Sequence, residues 1–476
     1  MKILQKLSNH SIIGLLDSSK IYGSTPKMNH SINSITFTSK YRLSRRSTTN
    51  AFHNEDFILS KDELIKSNKS HYKSKLENLV TQKIKEKSIS KSRTKMHKLI
   101  RVTTVSGSLR SLLTGQLKFM NQYYEVVGVS SYGEGLEDVR KNEGVRTQGI
   151  KMTRSITPFR DLIATYKLYR FFKEEKPYIV HTHTPKAGTL GMLAARLAGV
   201  PHRIHTVAGL PLLEINGLKR SLLNMVEKLT YSCATKILPN SYGLKDIILQ
   251  NKFAKQTKVK VIGHGSSNGI NTSYYNVNNI SQKDINSLKN QLMINERDIV
   301  FLYIGRIVKD KGINELINAF DNLSKQFDNL KLILVGGREN HLDPLLKSTE
   351  AIIKTNNNIL ELGWQKDIRP FVAISSILTH PSYREGFPNV VLQAGSMGLP
   401  CIVSNINGCN EIIEQNINGI IIQPKNTKNL ESAMKFMIDN PDKISEMKAN
   451  SRTRILKHYQ QEFVWDEILK FYKTLE

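Results

Sequence analysis

From residue 99 to 105 the chain runs largely apolar, whereas from 109 to 120 its apolar positions, Leu109, Leu112, Leu113, Leu117 and Met120, fall on one side of a helix. The first pattern is that of a buried strand and the second that of an amphipathic helix, with Ser106-Gly107-Ser108 as the tight turn between them. The alternation continues. Strands are predicted at 125–129, 178–180, 203–207 and 236–238, with helices at 160–174, 188–197 and 218–232. A polar, asparagine-rich stretch at 271–295 reads as a linker, after which the pattern restarts. Strands are then predicted at 298–304, 331–335, 359–362, 377–379 and 401–403, and helices at 312–327 and 388–397.

Strands alternating with helices predict an α/β fold of two Rossmann-like, doubly wound parallel sheets, which bind ligands in a cleft at the carboxyl ends of their strands. The expected divisions are a low-order extension over 1–95, a first Rossmann-like domain over 96–270 and a linker region over 271–297. A second Rossmann-like domain over 298–455 and a C-terminal helix over 456–476, returning to the first domain, complete the chain.

Residues 1–95 differ from the rest, being rich in Ser, Asn and Lys with apolar residues only in short clusters. Such composition builds no core, and a lysine-rich helical stripe through Ile58, Leu64, Ile65, Leu76, Leu79, Val80 and Ile84 would be marginal and solvated. The run Ile12-Ile13-Gly14-Leu15-Leu16 is a poor signal peptide, having no convincing small-residue cleavage site after it. Eight basic residues and one acid in the first fifty also resemble an organelle transit peptide, and Met96, just before the first strand, makes a mis-assigned start a further alternative.

Charge adds a partner class. The 69 Lys and Arg against 41 Asp and Glu leave +28, which points to a polyanion: nucleic acid, anionic lipid or a phosphorylated small molecule. Residues 1–95 hold 19 of the basic and 7 of the acidic residues, so the surplus is diluted over the longer part. No apolar window approaches the roughly 18 residues of a membrane span. The three cysteines lack metal-ligand spacing and an even count, which argues against a zinc site and a disulfide framework and fits a reducing cytosol.

Two segments carry chemistry. In Gly305-Arg306-Ile307-Val308-Lys309-Asp310-Lys311-Gly312 two cations five residues apart flank a turn into a helix, and an Arg fork with a Lys point charge suits a diphosphate. In Arg384-Glu385-Gly386-Phe387-Pro388-Asn389-Val390-Val391-Leu392-Gln393 an acid and a glycine precede a helix predicted to begin at Pro388, whose free amides could hold phosphate or sugar oxygens.

These segments, with Gly398-Leu399-Pro400-Cys401-Ile402-Val403 and Asn268-Gly269-Ile270-Asn271, resemble the retaining glycosyltransferases of family 4, which have the GT-B fold. The resemblance spans about residues 97–476. His183-Thr184-Pro185-Lys186-Ala187-Gly188 and His205-Thr206-Val207-Ala208-Gly209-Leu210-Pro211 resemble its capsule and lipid-linked oligosaccharide enzymes, including N-acetylgalactosaminyltransferases.

The resemblance implies an acceptor domain followed by a donor domain. Arg306 and Lys311 then neutralise the nucleotide diphosphate, Glu385 touches the donor-sugar hydroxyls, and Gly386, Phe387, Asn389 and Val390 belong to the donor site. Where the family has a second glutamate for the ribose, this chain has Gln393, whose carbonyl still accepts from one hydroxyl. His205 matches the active-site histidine, and Trp364 sits where the nucleotide base is held. His183, favoured over His181 on the premise that only one of the pair faces the cleft, and Lys186 are acceptor-side candidates. Gly107 is a lone glycine rather than a G-x-G-x-x-G fingerprint, which disfavours a dinucleotide oxidoreductase while allowing close approach of a ligand.

The expected activity is transfer of an N-acetylhexosamine or hexose from a UDP-sugar to a polyprenyl-diphosphate-linked glycan, with retention, in surface polysaccharide synthesis. No cofactor is expected, and no metal, since no D-x-D triplet occurs and the cations can replace an ion. The expected location is the cytoplasm, peripheral on the inner face of the cell membrane and seated on anionic lipid through 160–176 and the helix around Leu218. The alternatives are a GT-B-fold UDP-sugar epimerase and, more distantly, a basic nucleic-acid-binding protein, for which no module is visible.

Overall fold

Long apolar runs such as Ile299-Val300-Phe301-Leu302-Tyr303-Ile304 form strands covered on both faces, as parallel sheets require. The computed structural model describes residues 34–37, 57–60 and 96–476, apart from 211, 213–215, 340 and 342. The chain divides into two units, 1–94 and 95–476. In the first, β1 (Ser34–Phe37) and β2 (Phe57–Ser60) pair antiparallel with Ser34 opposite Ser60. Ile58, expected on a helical stripe, therefore lies in a strand. The rest of the expected low-order extension, including the other stripe residues, lies outside the described residues.

The second unit holds two six-stranded parallel sheets. One contains β3 (Lys98–Val102), β4 (Glu125–Ser130), β5 (Arg146–Gly149), β6 (Ile179–Thr182), β7 (His202–Val207) and β8 (Lys236–Pro239), in the order β5-β4-β3-β6-β7-β8. The other contains β9 (Ile299–Ile304), β10 (Leu330–Val335), β11 (Ile359–Glu361), β12 (Ile377–His380), β13 (Cys401–Ser404) and β14 (Gly419–Ile422), in the order β11-β10-β9-β12-β13-β14. Both orders reverse after their first strand, which puts a ligand crevice between β3 and β6 in one sheet and between β9 and β12 in the other.

Each sheet is covered on both faces by apolar clusters. The helix Gln461–Lys473 contributes Val464, Ile468, Phe471 and Tyr472 to the cluster of Leu113, Leu117 and Met120, so the chain's last helix packs on its first sheet. Its return runs beside the earlier crossing, because Ile270 N–H donates to Tyr459 O at 2.8 Å and Gln461 N–H donates to Ile270 O at 3.1 Å. The stretch expected as a linker contains the helix Gln282–Gln291, whose Ile285 and Leu288 pack on the second sheet's core.

The helix predicted over 109–120 is two, Ser106–Leu112 and Gln116–Met120. Gly115 adopts φ +78° as the N-cap of the second, and its N–H, with that of Lys118, donates to the Glu143 carboxylate at 2.7 and 3.0 Å.

Candidate functional site

Between the two sheets' carboxyl ends lies a cavity of about 280 Å³. From the first sheet it is lined by His183, Thr184 and Pro185, which follow β6, and by Ala208, Gly209 and Leu210, which follow β7. From the second come Arg306, after β9, Lys311, and Arg384, Glu385 and Gly386, after β12. The loops meet backbone to backbone. A Cβ on Gly386 would stand 1.7 Å from Ala208 O, so only glycine allows this approach.

The acid at the centre is held ionised. Lys311 Nζ lies 2.5 Å from Glu385 Oε1, and His380 Nε2 lies 3.0 Å from the same oxygen. Burial alone would push the Glu385 carboxyl up, but the hydrogen bond and charge of His380 and the Lys311 ammonium outweigh it and hold the group at about 2. Glu385 is therefore an acceptor of hydrogen bonds, suited to sugar hydroxyls. Arg306 is looser, tied to Glu339 at 2.5 Å and half-exposed. Arg384 donates to Asp310 at 2.9 Å, while its buried Nε has no partner among the described residues. Three cations thus border one cavity, an arrangement for a polyphosphate. No group of three or more His, Cys, Asp or Glu side chains among the described residues could hold a metal ion.

Several expected site residues lie elsewhere. His205 is buried and does not line this cavity. Its Nδ1 is 2.8 Å from Thr182 Oγ1, and its ring lies where a Cβ on Gly188 would come within 2.3 Å. Burial lowers its imidazole to about 4, leaving it neutral. Ala208, three residues on, occupies the strand-end position that His205 was expected to fill. Lys186 also turns away, forming a 2.5 Å ion pair with Asp161 that ties the helix Pro185–Leu197 to the helix Pro158–Glu175.

Phe387 packs against Tyr459 with ring centroids 5.4 Å apart, in the core beside the chain crossings. Gln393 Nε2 donates to Tyr275 Oη at 2.8 Å. Asn389 is exposed and begins the helix Asn389–Ser396, Val390 is half-buried, and Pro388 is the cap rather than the first helical residue. Trp364 is 74% exposed, so packing does not account for it. Gly107 is exposed, with nothing within 4 Å of the place of a Cβ and no positive φ, so nothing in the backbone demands glycine there. None of Phe387, Gln393, Asn389, Val390, Trp364 and Gly107 lines this cavity.

His183 does line it, and so does not depend on excluding His181. Residues two apart in extended chain share a face, and the two rings lie 4.2 Å apart, both buried. The sequence reading missed His380, Arg384 and Thr184. His380 carries the signal of an ionisable residue at a strand end five positions before Glu385, while the other two sat inside quoted motifs without a role.

Comparison with known proteins matches residues 120–265 to the glycosyl transferase 4-like domain and residues 284–454 to glycosyl transferases group 1. The chain is 32% identical over 383 residues to the capsular polysaccharide biosynthesis glycosyltransferase CapM of Staphylococcus aureus, covering 80% of this chain and 98% of that one. It is 28% identical to the N,N'-diacetylbacillosaminyl-diphospho-undecaprenol alpha-1,3-N-acetylgalactosaminyltransferase of Campylobacter jejuni, covering 74% and 91%. The fold is similar to that of Anabaena Alr3699/HepE, solved in complex with UDP and glucose, with a TM-score of 0.67 and 18% identity over 79% of this chain and all of that one.

Proposed function

Because the chain belongs to the group 1 glycosyl transferases, we propose that it moves a sugar from a UDP-sugar to a hydroxyl of a polyprenyl-diphosphate-linked glycan, with retention of configuration. The observation that carries this reading is the convergence of Arg306, Lys311 and Arg384 with an ionised Glu385 in one cavity between the sheets. The relatives support the choice of substrates: one is named for transfer to a diphospho-undecaprenol sugar, and one similarly folded protein was solved with UDP.

In that cavity the diphosphate lies against Lys311 and Arg306, and the transferred sugar against Glu385. As the bond to the sugar breaks, charge grows on the departing phosphate oxygen. Cations already in position stabilise that charge without solvent reorganisation. Glu385 accepts from the sugar's hydroxyls and, being anionic, favours the positive charge developing at the ring. No covalent nucleophile is assigned.

The acceptor's lipid calls for a membrane surface. The helices Pro158–Glu175 and Gly217–Cys233 both pack on the helix Pro185–Leu197. They expose Phe159 (86%) and Leu218 (91%), with Leu162 and Met225, beside the exposed Arg160 and Lys219. Apolar side chains among cations fit an anionic bilayer. No helix among the described residues is long and apolar enough to cross a membrane.

A thermal-shift panel of nucleotide sugars, followed by product analysis with and without lipid acceptor, tests the proposal. Stabilisation by UDP-sugars and acceptor-dependent product are expected. An isomerised UDP-sugar formed without acceptor would replace the reading with epimerisation.

A further inference from the structure

Beneath the cavity lies Arg101, fully buried on β3, whose charge meets no carboxylate among the described residues. A guanidinium only donates, so each of its contacts has a fixed direction. Nε donates to His183 Nε2 at 2.9 Å, Nη1 to Tyr472 Oη at 3.2 Å and Nη2 to Gln116 Oε1. Gln116 agrees with this polarity, since its Nε2 donates to Ser267 O at 2.9 Å. Tyr472 Oη, accepting from Arg101, has its proton for His181 Nδ1 at 2.5 Å, which leaves His181 Nε2–H to donate to Thr206 Oγ1 at 2.7 Å. The two adjacent histidines thus hold opposite tautomers. His183 must accept at Nε2 and carry its proton on Nδ1, which has no partner among the described residues, on a side chain that lines the cavity.

We propose that Arg101 is a positioning residue that fixes His183 as its Nδ1–H tautomer, making it a hydrogen-bond donor toward an oxygen of the nucleotide sugar in the cavity; this rests on the sugar-transfer reading above. The groups facing His183 are Arg101 from β3, His181 on its own segment, and His205 from β7, with Tyr472 of the C-terminal helix bridging Arg101 and His181. Burial foremost, then the charge of Arg101, lower its imidazole well below the ordinary value, so it stays neutral as a donor should. Because Tyr472 completes the network, the last helix supports the cleft as well as the first sheet's core.

Nitrogen NMR of the full chain with labelled histidine, the His183 signals identified by their loss in His183→Asn, reads the tautomer without substrate. A protonated Nδ1 and bare Nε2 are expected, turning to a tautomer mixture in Arg101→Met. Asparagine places an N–H where Nδ1 stands and aspartate places an acceptor there. His183→Asn should therefore keep kcat/KM within about tenfold of the parent, and His183→Asp should lose about 100-fold or more. His183→Asn should also leave the acid limb of the pH profile unmoved. A protonated Nε2 or an imidazolium in the unsubstituted chain would overturn the proposal whatever the substrate proves to be. The expected tautomer with equal kcat/KM in the two His183 variants would overturn the donor role, and neither the spectrum of the unsubstituted chain nor the activity of those variants depends on Arg101→Met folding.

Discussion

Lys311 Nζ and Glu385 Oε1 are 2.5 Å apart, so the cation expected to neutralise a diphosphate also balances the acid beside it. Removing the lysine therefore costs twice, once at the phosphate and once at a buried carboxylate left with His380. Lys311→Ala should lower kcat/KM by about 100-fold to 1000-fold, while Arg306→Ala, half-exposed and tied to Glu339, should lower it by about 10-fold. The effects of Lys311→Ala and Glu385→Gln should not add, because they share one interaction. Steady-state kinetics of the single and double variants check this; equal losses for Arg306 and Lys311 would contradict the pairing. Gln393→Glu should stay within about tenfold, since it alters a group bonded to Tyr275 that does not line the cavity.

Gly386→Ala should impair activity far more than Gly107→Ala. A Cβ at 386 collides with Ala208 O across the cleft and must push the two sheets' loops apart, whereas a Cβ at 107 meets nothing. A loss of about 100-fold in kcat/KM at 386 is expected, because a displacement near 1 Å between reacting groups is worth that much. At 107 the change should be less than about threefold, the effect of a few tenths of a kcal/mol on a surface position. Circular dichroism would confirm that both fold. A large loss at Gly107 would mean that a ligand approaches that backbone closely.

Membrane docking through the first sheet's helices should show in vesicle flotation. Phe159→Ser with Leu218→Ser removes two exposed apolar side chains, each worth about 1.5 to 3 kcal/mol when buried, and should weaken binding to anionic vesicles at least tenfold. Neutral vesicles should bind poorly. Equal flotation of parent and double variant would locate the lipid contact elsewhere.

Acid should destabilise the fold in two steps. Burial lowers His205 from an ordinary value of 6.5 to about 4, so below pH 6.5 the unfolded chain takes up a proton that the folded chain refuses. The stabilisation is whole above pH 6.5 and is lost as pH falls toward 4, roughly 3 kcal/mol for this residue, with His181 and His183 acting in the same direction. Glu385, lowered from 4.5 to about 2, adds a second loss between those values. Denaturant midpoints from pH 7.5 to 4.5 should fall in the parent and fall less in His205→Asn. A flat profile would show that these imidazoles are not desolvated.

The alternation of β9, a helix and β10 was legible because every position of those strands but Lys331 is apolar, which identifies strands buried on both faces. The strand Arg146–Gly149 was not, because this edge strand has no fully buried residue and carries no apolar run. The helix Glu134–Glu143 is equally polar, with only Gly135, Val139 and Glu143 buried. In the site, Arg306, Lys311 and Glu385 could be read from two local motifs whose residues do meet. Lys186 could not, because its partner Asp161 lies 25 residues away on another helix. His205 was misplaced because a histidine in a strand's last residues faces the cleft or the interior according to a register that one sequence does not reveal. Arg101 gave no signal at all, standing as one cation in an otherwise ordinary strand.

The most direct test of sugar transfer is to incubate the full chain with a radiolabelled UDP-sugar and a polyprenyl-diphosphate-linked glycan, extract the lipid phase and determine the anomeric configuration of the new linkage. The account predicts label in the lipid fraction, in the donor's own anomeric configuration, at a rate that collapses in Lys311→Ala. Label confined to the aqueous phase with every UDP-sugar tried, or a product of inverted configuration, would contradict it.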